Sequence, residues 1–71
     1  MEVELEPIIW RYGSFQIGRV TSGPYKGRCL RCYNEQCETW KVEILMDQNW
    51  TTLAAARAEK EVKEQAKFLL S

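Results

Sequence analysis

A strict alternation of polar and apolar residues runs through one short stretch, Thr39-Trp40-Lys41-Val42-Glu43-Ile44. Successive side chains of a β-strand point to opposite faces, so this pattern predicts a strand with one buried face. The apolar residues of the stretch are expected to point into the core and the polar ones toward water. Because one face of the strand is polar, the pattern favours an antiparallel sheet.

Three segments before this stretch are rich in β-branched and aromatic residues. Each of them predicts a further strand, at 8–12, 15–20 and 28–33. Residues 21–27 contain two glycines and a proline, which predicts a loop between the second and third of these strands. Trp10 and Trp40 lie at apolar positions of their strands and are expected in the core. Tyr25 lies in the loop and is expected to be exposed.

The hydrophobic period changes after Asn49, from the two-residue repeat of a strand to steps of three and four. No residue of 51–70 breaks a helix, and a threonine at its start is a suitable N-cap. The apolar positions of this segment form one stripe, made of Ala55, Ala58, Val62, Ala66 and Leu69. Glu59 and Lys63 are spaced for an i,i+4 ion pair among the polar residues that cover the rest of the helix.

The chain has 71 residues, of which 45% are hydrophobic, and this is enough for one core. We predict a single α+β domain over 1–71. Residues 1–7 are expected to be flexible, 8–45 to form an antiparallel meander of three or four strands, and 51–70 to form one C-terminal helix packed on it.

The start of the chain is acidic and lacks the basic and apolar parts of a secretory signal. No stretch approaches the ~20 apolar residues of a membrane helix, so a cytoplasmic protein is expected. A chain that starts at Met1 without a tag suggests a complete small reading frame. Frames of this size are frequent in phages and mobile elements, and we expect such an origin.

Three cysteines lie within nine residues in the spacing C-x2-C-x4-C, at Cys29, Cys32 and Cys37. A zinc site would need a fourth ligand, from Glu35 or Glu38 or from a second chain, because the sequence has no histidine. One disulfide plus a free thiol is another alternative, against which the odd number of thiols argues. We favour a third interpretation, in which the cysteines are small hydrophobic residues of a strand and no metal or other cofactor is bound.

The sequence offers no set of residues suited to catalysis. It lacks histidine, the commonest general base, and it shows no serine–base pair and no paired acids in an apolar setting. Residues 23–27, Gly-Pro-Tyr-Lys-Gly, have neither the length nor the residues of a phosphate-binding loop. We therefore predict a binding module and not an enzyme, and expect no small-molecule substrate and no membrane partner.

Ten basic and ten acidic residues give zero net charge, but the charges are segregated along the chain. Residues 10–34 contain five basic side chains, five aromatic ones and no acidic one. Guanidinium groups pair with phosphates and guanine edges, while aromatic rings stack on bases. This segment predicts a nucleic-acid-binding sheet face or loop, formed by Arg11, Arg19, Lys26, Arg28, Arg31 and Tyr25. Within it, we expect Arg11 and Arg19 to share one strand face, and Arg31 to share a face with Cys29 and Tyr33.

Two other interpretations of the basic segment stay open. Arginine is an ordinary occupant of a solvated sheet face, and five charges over residues 10–34 are a moderate number. A balanced net charge also suits a protein partner better than a polyanion, which favours an inhibitor or adaptor of a host protein. A zinc-stapled form of either module is the remaining alternative. The expected partner is thus a nucleic acid or a protein.

The end of the predicted sheet is followed by Trp50-Thr51-Thr52-Leu53-Ala54-Ala55-Ala56. The order of strands and this stretch resemble small DNA-binding modules built from a three-stranded sheet and one helix. These include the arm-binding domains of phage tyrosine integrases and the plant ethylene-response type domain. The resemblance covers residues 8–70. It implies a sheet that enters the major groove, with DNA contacts from Arg11, Arg19, Arg28 and Arg31.

Overall fold

The computed structural model describes residues 2–5, 7–13, 16–36 and 39–70. These residues form six β-strands followed by one α-helix. The elements are β1 (Glu2–Leu5), β2 (Ile8–Arg11), β3 (Gln16–Val20), β4 (Cys29–Gln36), β5 (Thr39–Met46), β6 (Asn49–Ala56) and α1 (Glu59–Leu70). Each strand pairs antiparallel with the next, so the sheet is a meander in chain order. The predicted α+β class, meander and C-terminal helix are confirmed, whereas three or four strands was too few.

One face of the sheet, which we call the inner face, is apolar and carries the core. Its residues are Ile8, Trp10, Gly18, Val20, Leu30, Cys32, Val42, Ile44 and Ala54. The helix α1 packs on this face through three buried residues, Val62, Ala66 and Leu70. Trp10 is fully buried, as predicted, and Trp40 packs partly buried against the same core.

The prediction of a helix over 51–70 is wrong for its first part, because Asn49–Ala56 forms β6. A two-residue turn connects β5 to β6, and in it Asp47 and Gln48 have φ angles of 50° and 70°. Two successive positive φ angles are typical of the type I′ turn, whose twist fits a hairpin. The helix propensity of alanine is worth only a few tenths of a kcal/mol per residue, so pairing with β5 outweighs it. The stretch 50–56 that carries the resemblance to sheet-plus-helix modules is therefore a strand.

The apolar stripe of α1 is shorter than predicted, because the helix begins at Glu59. Val62 and Ala66 are buried as expected, and Leu70 completes the stripe. Of the other predicted members of the stripe, Ala55, Ala58 and Leu69 are exposed. Among the described residues, no helix has the length and apolar character needed to cross a membrane.

Within the segment 1–7, which was expected to be flexible, Glu2–Leu5 form β1 and pair antiparallel with β2. The carbonyl oxygen of Pro7 accepts a hydrogen bond from the backbone nitrogen of Thr21 at 2.6 Å. In the strand order β1 pairs with β2 alone among the described residues, so it is an edge strand of the sheet.

Residues 21–27 form the predicted loop between β3 and β4. The backbone nitrogen of Gly27 donates to the carbonyl oxygen of Val20 at 2.9 Å and closes the loop. Gly23 and Gly27 adopt φ angles of 86° and 91°, a region that residues with a Cβ rarely occupy. Tyr25 is 37% exposed, as predicted.

Gly18 supplies the space into which the Trp10 ring packs. A Cβ on Gly18 would lie 2.9 Å from Cε3 of Trp10 and 3.2 Å from Cγ2 of Ile8. Because Trp10 is fully buried, Gly18→Ala is expected to lower the free energy of unfolding by about 1–3 kcal/mol. Urea unfolding followed by tryptophan fluorescence measures the change.

Gly13→Ala is the matched control, because a Cβ at Gly13 would meet no atom within 4 Å. We expect this variant to change the free energy of unfolding by less than about 0.5 kcal/mol. Equal losses in the two variants would contradict the packing of Trp10 against Gly18.

Candidate nucleic-acid interface

The other face of the sheet, which we call the outer face, has no helix packed on it within the part of the chain that the structure describes. Its residues are Ile9, Arg11, Ile17, Arg19, Cys29, Arg31, Tyr33, Lys41, Glu43, Leu45, Trp50 and Thr52. Basic, aromatic and aliphatic side chains are mixed across it. Such a surface is suited to contact with a partner that has both charged and flat apolar parts.

Three of the predicted arginines lie together on the outer face. Arg11 of β2 is paired with Ile17 of β3, and Ile17 is in turn paired with Arg31 of β4. Arg19 is two residues farther along β3 and therefore on the same face as Ile17. Both predicted groupings are confirmed, namely Arg11 with Arg19, and Arg31 with Cys29 and Tyr33.

Arg11 and Arg19 flank a shallow depression of about 240 Å³ in the outer face. The depression is otherwise lined by Ile9, Ile17, Gly18 and Cys29. Both arginines are exposed, so positive charge borders a mostly apolar floor. A depression with an apolar floor and a basic border offers a surface for a flat apolar group that carries an anionic group beside it.

Arg31 is held by its neighbours on the outer face. Its Nε donates a hydrogen bond to Oε1 of Glu43 at 2.6 Å. Its guanidinium carbon lies 4.3 Å from the centroid of the Trp50 ring and 5.5 Å from that of Tyr33. Glu43 was expected to face water, but it is buried because Arg31 pairs with it. The charge of Arg31 is thus largely neutralised by this carboxylate.

Two more basic residues, Arg28 before β4 and Lys41 of β5, are engaged by protein groups. Nη1 of Arg28 donates to the backbone oxygen of Leu45 at 3.3 Å. Lys41 forms an ion pair with Glu35 at 2.5 Å, and the hydrogen bond to Glu35 raises the pKa of Lys41. Arg28, predicted as a contact residue, therefore orders the end of β5 and does not join the arginines that border the depression.

The loop 21–27 holds the remaining predicted contacts, Lys26 and Tyr25, and both are exposed. A Cβ on Gly23 would lie 3.1 Å from the carbonyl oxygen of Leu70, the last residue of α1. The loop therefore lies against the helix end, which packs on the inner face. The structure does not bring Lys26 and Tyr25 into the group of arginines on the outer face.

Cys29 and Cys32 lie on opposite faces of β4. Cys29 is on the outer face and Cys32 is buried on the inner face, and both are free thiols. An odd spacing within a strand separates two side chains in this way, so the C-x2-C pair cannot bind one ion while β4 is intact. The described residues contain no group of three His, Cys, Asp or Glu that could hold a metal ion. Cys37 lies outside the described residues.

Lys63 is a buried cation that the sequence pattern did not reveal. Its Nζ donates to Oη of Tyr12 at 2.5 Å and lies 3.3 Å from Oε1 of Glu59, which confirms the predicted i,i+4 pair. The same Nζ lies 5.0 Å from the centroid of the Trp10 ring, and Lys63 is only 6% exposed. Its burial depends on residues some fifty positions earlier, which no pattern within the helix contains.

Burial raises the pKa of Cys32 to about 11, against an opposing effect of Lys63. At about pH 8, roughly one in a thousand Cys32 side chains is then a thiolate, the form that reacts with alkylating agents. We expect iodoacetamide to modify Cys29 at least about tenfold faster than Cys32. Tryptic mapping measures both rates, because cleavage after Arg31 separates the two cysteines and fragment ions resolve Cys32 from Cys37.

In urea the two labelling rates should converge, since both thiols are then in water. That measurement is the control for local sequence effects on reactivity. Faster labelling of Cys32 than of Cys29 in the folded protein would contradict the placement of Cys32 on the inner face.

The chain matches no protein-family model, no curated protein and no solved structure. No relative therefore supplies an activity or a set of binding residues for it. What the chain does has to be inferred from its own chemistry, above all from the arginines and rings of the outer face.

Proposed function

We propose that this chain is a small, cytoplasmic, non-enzymatic module that binds nucleic acid through the outer face of its sheet. The observation that carries the proposal is the pair Arg11 and Arg19, which border one depression with a mostly apolar floor. The rings of Tyr33 and Trp50 lie on the same face. Guanidinium groups for phosphates and aromatic rings for bases are the two components of sequence-tolerant binding to nucleic acid.

The width of the sheet favours a single strand of nucleic acid over a duplex. Six strands span five interstrand spacings, or about 24 Å in the hydrogen-bonding direction. The major groove of B-form DNA is about 12 Å wide and admits a helix or a two-stranded ribbon. The whole outer face is therefore too broad to enter the groove, whereas unpaired bases can lie across it.

A protein partner is the second candidate, and a different surface favours it. Phe68 is 80% exposed and Leu69 is 55% exposed, both on the side of α1 that faces away from the sheet. They line a shallow groove with Glu61, Glu64 and Gln65. Exposed apolar residues with a polar border are typical of protein contacts. If this surface is the functional one, Phe68→Ser will abolish partner binding and changes at Arg11 will not.

Replacement of Arg11 and Arg19 by alanine tests the first candidate. Each phosphate contact with single-stranded nucleic acid contributes about 0.7 to the salt slope of log K. The double variant is therefore expected to bind about tenfold more weakly per lost contact at about 50 mM salt, and to show a salt slope lower by about 1.4. Fluorescence anisotropy with labelled single-stranded and duplex oligonucleotides, over a range of salt, measures both quantities.

Lys60→Ala is the matched control for the single variant Arg19→Ala, because each of them removes one exposed positive charge and Lys60 lies on the helix. It should leave the affinity within about twofold of the wild type, given that a distant charge is screened. The proposal fails if the wild-type protein retains neither single-stranded nor duplex oligonucleotide at low salt. It also fails if Lys60→Ala weakens binding as much as Arg19→Ala does.

Glu43→Gln makes a separate prediction on the same face. The change keeps a hydrogen-bond acceptor for Arg31 but removes the negative charge that now pairs with it. We expect tighter binding of single-stranded oligonucleotide, by up to about tenfold at about 50 mM salt, because Arg31 can then pair with phosphate. The anisotropy titration measures the change, with Glu43→Gln/Arg31→Ala as its control. Unchanged or weaker binding by Glu43→Gln would place the nucleic acid away from Arg31.

A further inference from the structure

The two edge strands of the sheet differ in how well they are protected from pairing with another strand. β1 has four residues within the segment Glu-Val-Glu-Leu-Glu-Pro at 2–7. Short length, charge and a neighbouring proline are features that natural proteins use to block an edge. β6 at the other edge has eight residues, Asn-Trp-Thr-Thr-Leu-Ala-Ala-Ala, with no charge and no proline. An uncharged edge of this length can pair with a further strand.

The first half of β6 is exposed on both faces of the sheet and along the edge away from β5. All four side chains of 49–52 are exposed, including those that alternate toward the inner face. The helix α1 covers β6 only farther along the strand, where Ala54 is buried. Within the described residues, β5 is the one strand that pairs with β6. The free side of β6 is therefore accessible along residues 49–52.

We propose that β6 pairs with β6 of a second copy of this chain, antiparallel about a twofold axis. Two six-stranded sheets then become one continuous sheet. Full overlap sets Asn49 of each copy opposite Ala56 of the other, and Trp50 opposite Ala55. The irregularity in the pairing of β5 with β6 leaves Leu53 as an extra residue, which reverses the alternation of faces in mid-strand. For this reason Trp50 and Ala55 both lie on the outer face, a large side chain opposite a small one.

The charges that flank β6 indicate which strand pairs with its free edge. Asp47 lies in the turn before β6 and Arg57 directly follows the strand, and both are exposed. Antiparallel overlap brings Asp47 of each copy beside Arg57 of the other, so an ion pair forms at both ends. A parallel pair would instead set like charges side by side. This match of the edge with itself is what favours a second copy over an unrelated strand.

Sedimentation velocity over about 1 to about 100 µM protein tests the proposal. We expect a species with twice the 8.3 kDa mass of the chain, which dissociates on dilution. Thr52→Lys sets two lysines near the twofold axis and is expected to weaken association at least tenfold. Gln65→Lys adds the same charge at an exposed position of α1 and is the control, with no change expected. Circular dichroism confirms that both variants stay folded.

Reversing the charges at positions 47 and 57 tests whether the two β6 strands pair in the proposed antiparallel register. Asp47→Lys and Arg57→Glu should each weaken the dimer, and the double variant should restore it, because the opposite signs again meet. A monomer at all concentrations overturns the proposal, as does a dimer that is insensitive to Thr52→Lys. Open-ended growth with concentration, or a double variant no tighter than the single ones, also overturns it. None of these changes touches Arg11 or Arg19, so the outcome is independent of nucleic-acid binding by the outer face.

Discussion

A single helix of twelve residues is the only helix available to cover the six-stranded sheet among the described residues, and this constraint organises the fold. A helix of that length is about 18 Å long, so it can cover one face of the sheet and not both. The fully buried side chains accordingly belong to α1 or to the inner face, with Trp10 the largest of them. The outer face is left with its mixture of arginines, rings and aliphatic side chains. The outer face can carry polar and charged residues because, within the described part of the chain, no helix packs on it and it contributes no fully buried side chain to the core.

The inner face is not purely apolar, and the exception fixes how the helix sits. The ammonium group of Lys63 is buried between α1 and the inner face. At such a site an ammonium group without partners would lower the stability of the fold by several kcal/mol. Tyr12 and Glu59 accept from it, and the rings of Tyr12 and Trp10 lie within 4.1 and 5.0 Å of its Nζ. Trp10 lies in β2 and Tyr12 directly follows it, whereas Glu59 belongs to α1 itself. A rotation of α1 about its axis would move Nζ of Lys63 away from Tyr12 and Trp10, so these two contacts restrict α1 to one orientation on the sheet.

The sequence predicted those parts of the fold that a local pattern specifies. The alternation in 39–44 indicated β5 and its buried side, and the glycines of 21–27 indicated the loop before β4. The prediction failed at β6, because alanines and threonines of 51–56 fit a helix as well as a strand and only pairing with β5 decides between them. The hairpin turn before β6 could not be recognised from the sequence. Asp47 and Gln48 adopt positive φ angles there without the glycine that usually marks a type I′ turn.

The candidate site was predictable to a similar extent and for a similar reason. Residues an even number of positions apart in a strand lie on one face, which is enough to place Arg11 with Arg19, and Arg31 with Tyr33. This spacing does not show which of the arginines is paired with a carboxylate of the protein. The pairing of β4 with β5 sets Arg31 directly opposite Glu43, while Trp50 approaches from β6. A count of basic residues along the sequence therefore overestimates the charge that the outer face presents.

The position of the basic residues on the sheet also bears on how the two proposed surfaces coexist. Arg11 and Arg19 lie on β2 and β3, whereas β6 is three strands farther on, at the far edge. A second copy paired through β6 would thus extend the outer face without covering the depression. The two β3 strands would be seven spacings apart, about 34 Å along a flat sheet and less in a twisted one. One extended strand of nucleic acid can span that distance, and two linked sites bind such a strand more tightly than either site alone. An edge contact of modest strength would in this way increase the affinity of a face on which Arg31 and Lys41 are already paired with carboxylates.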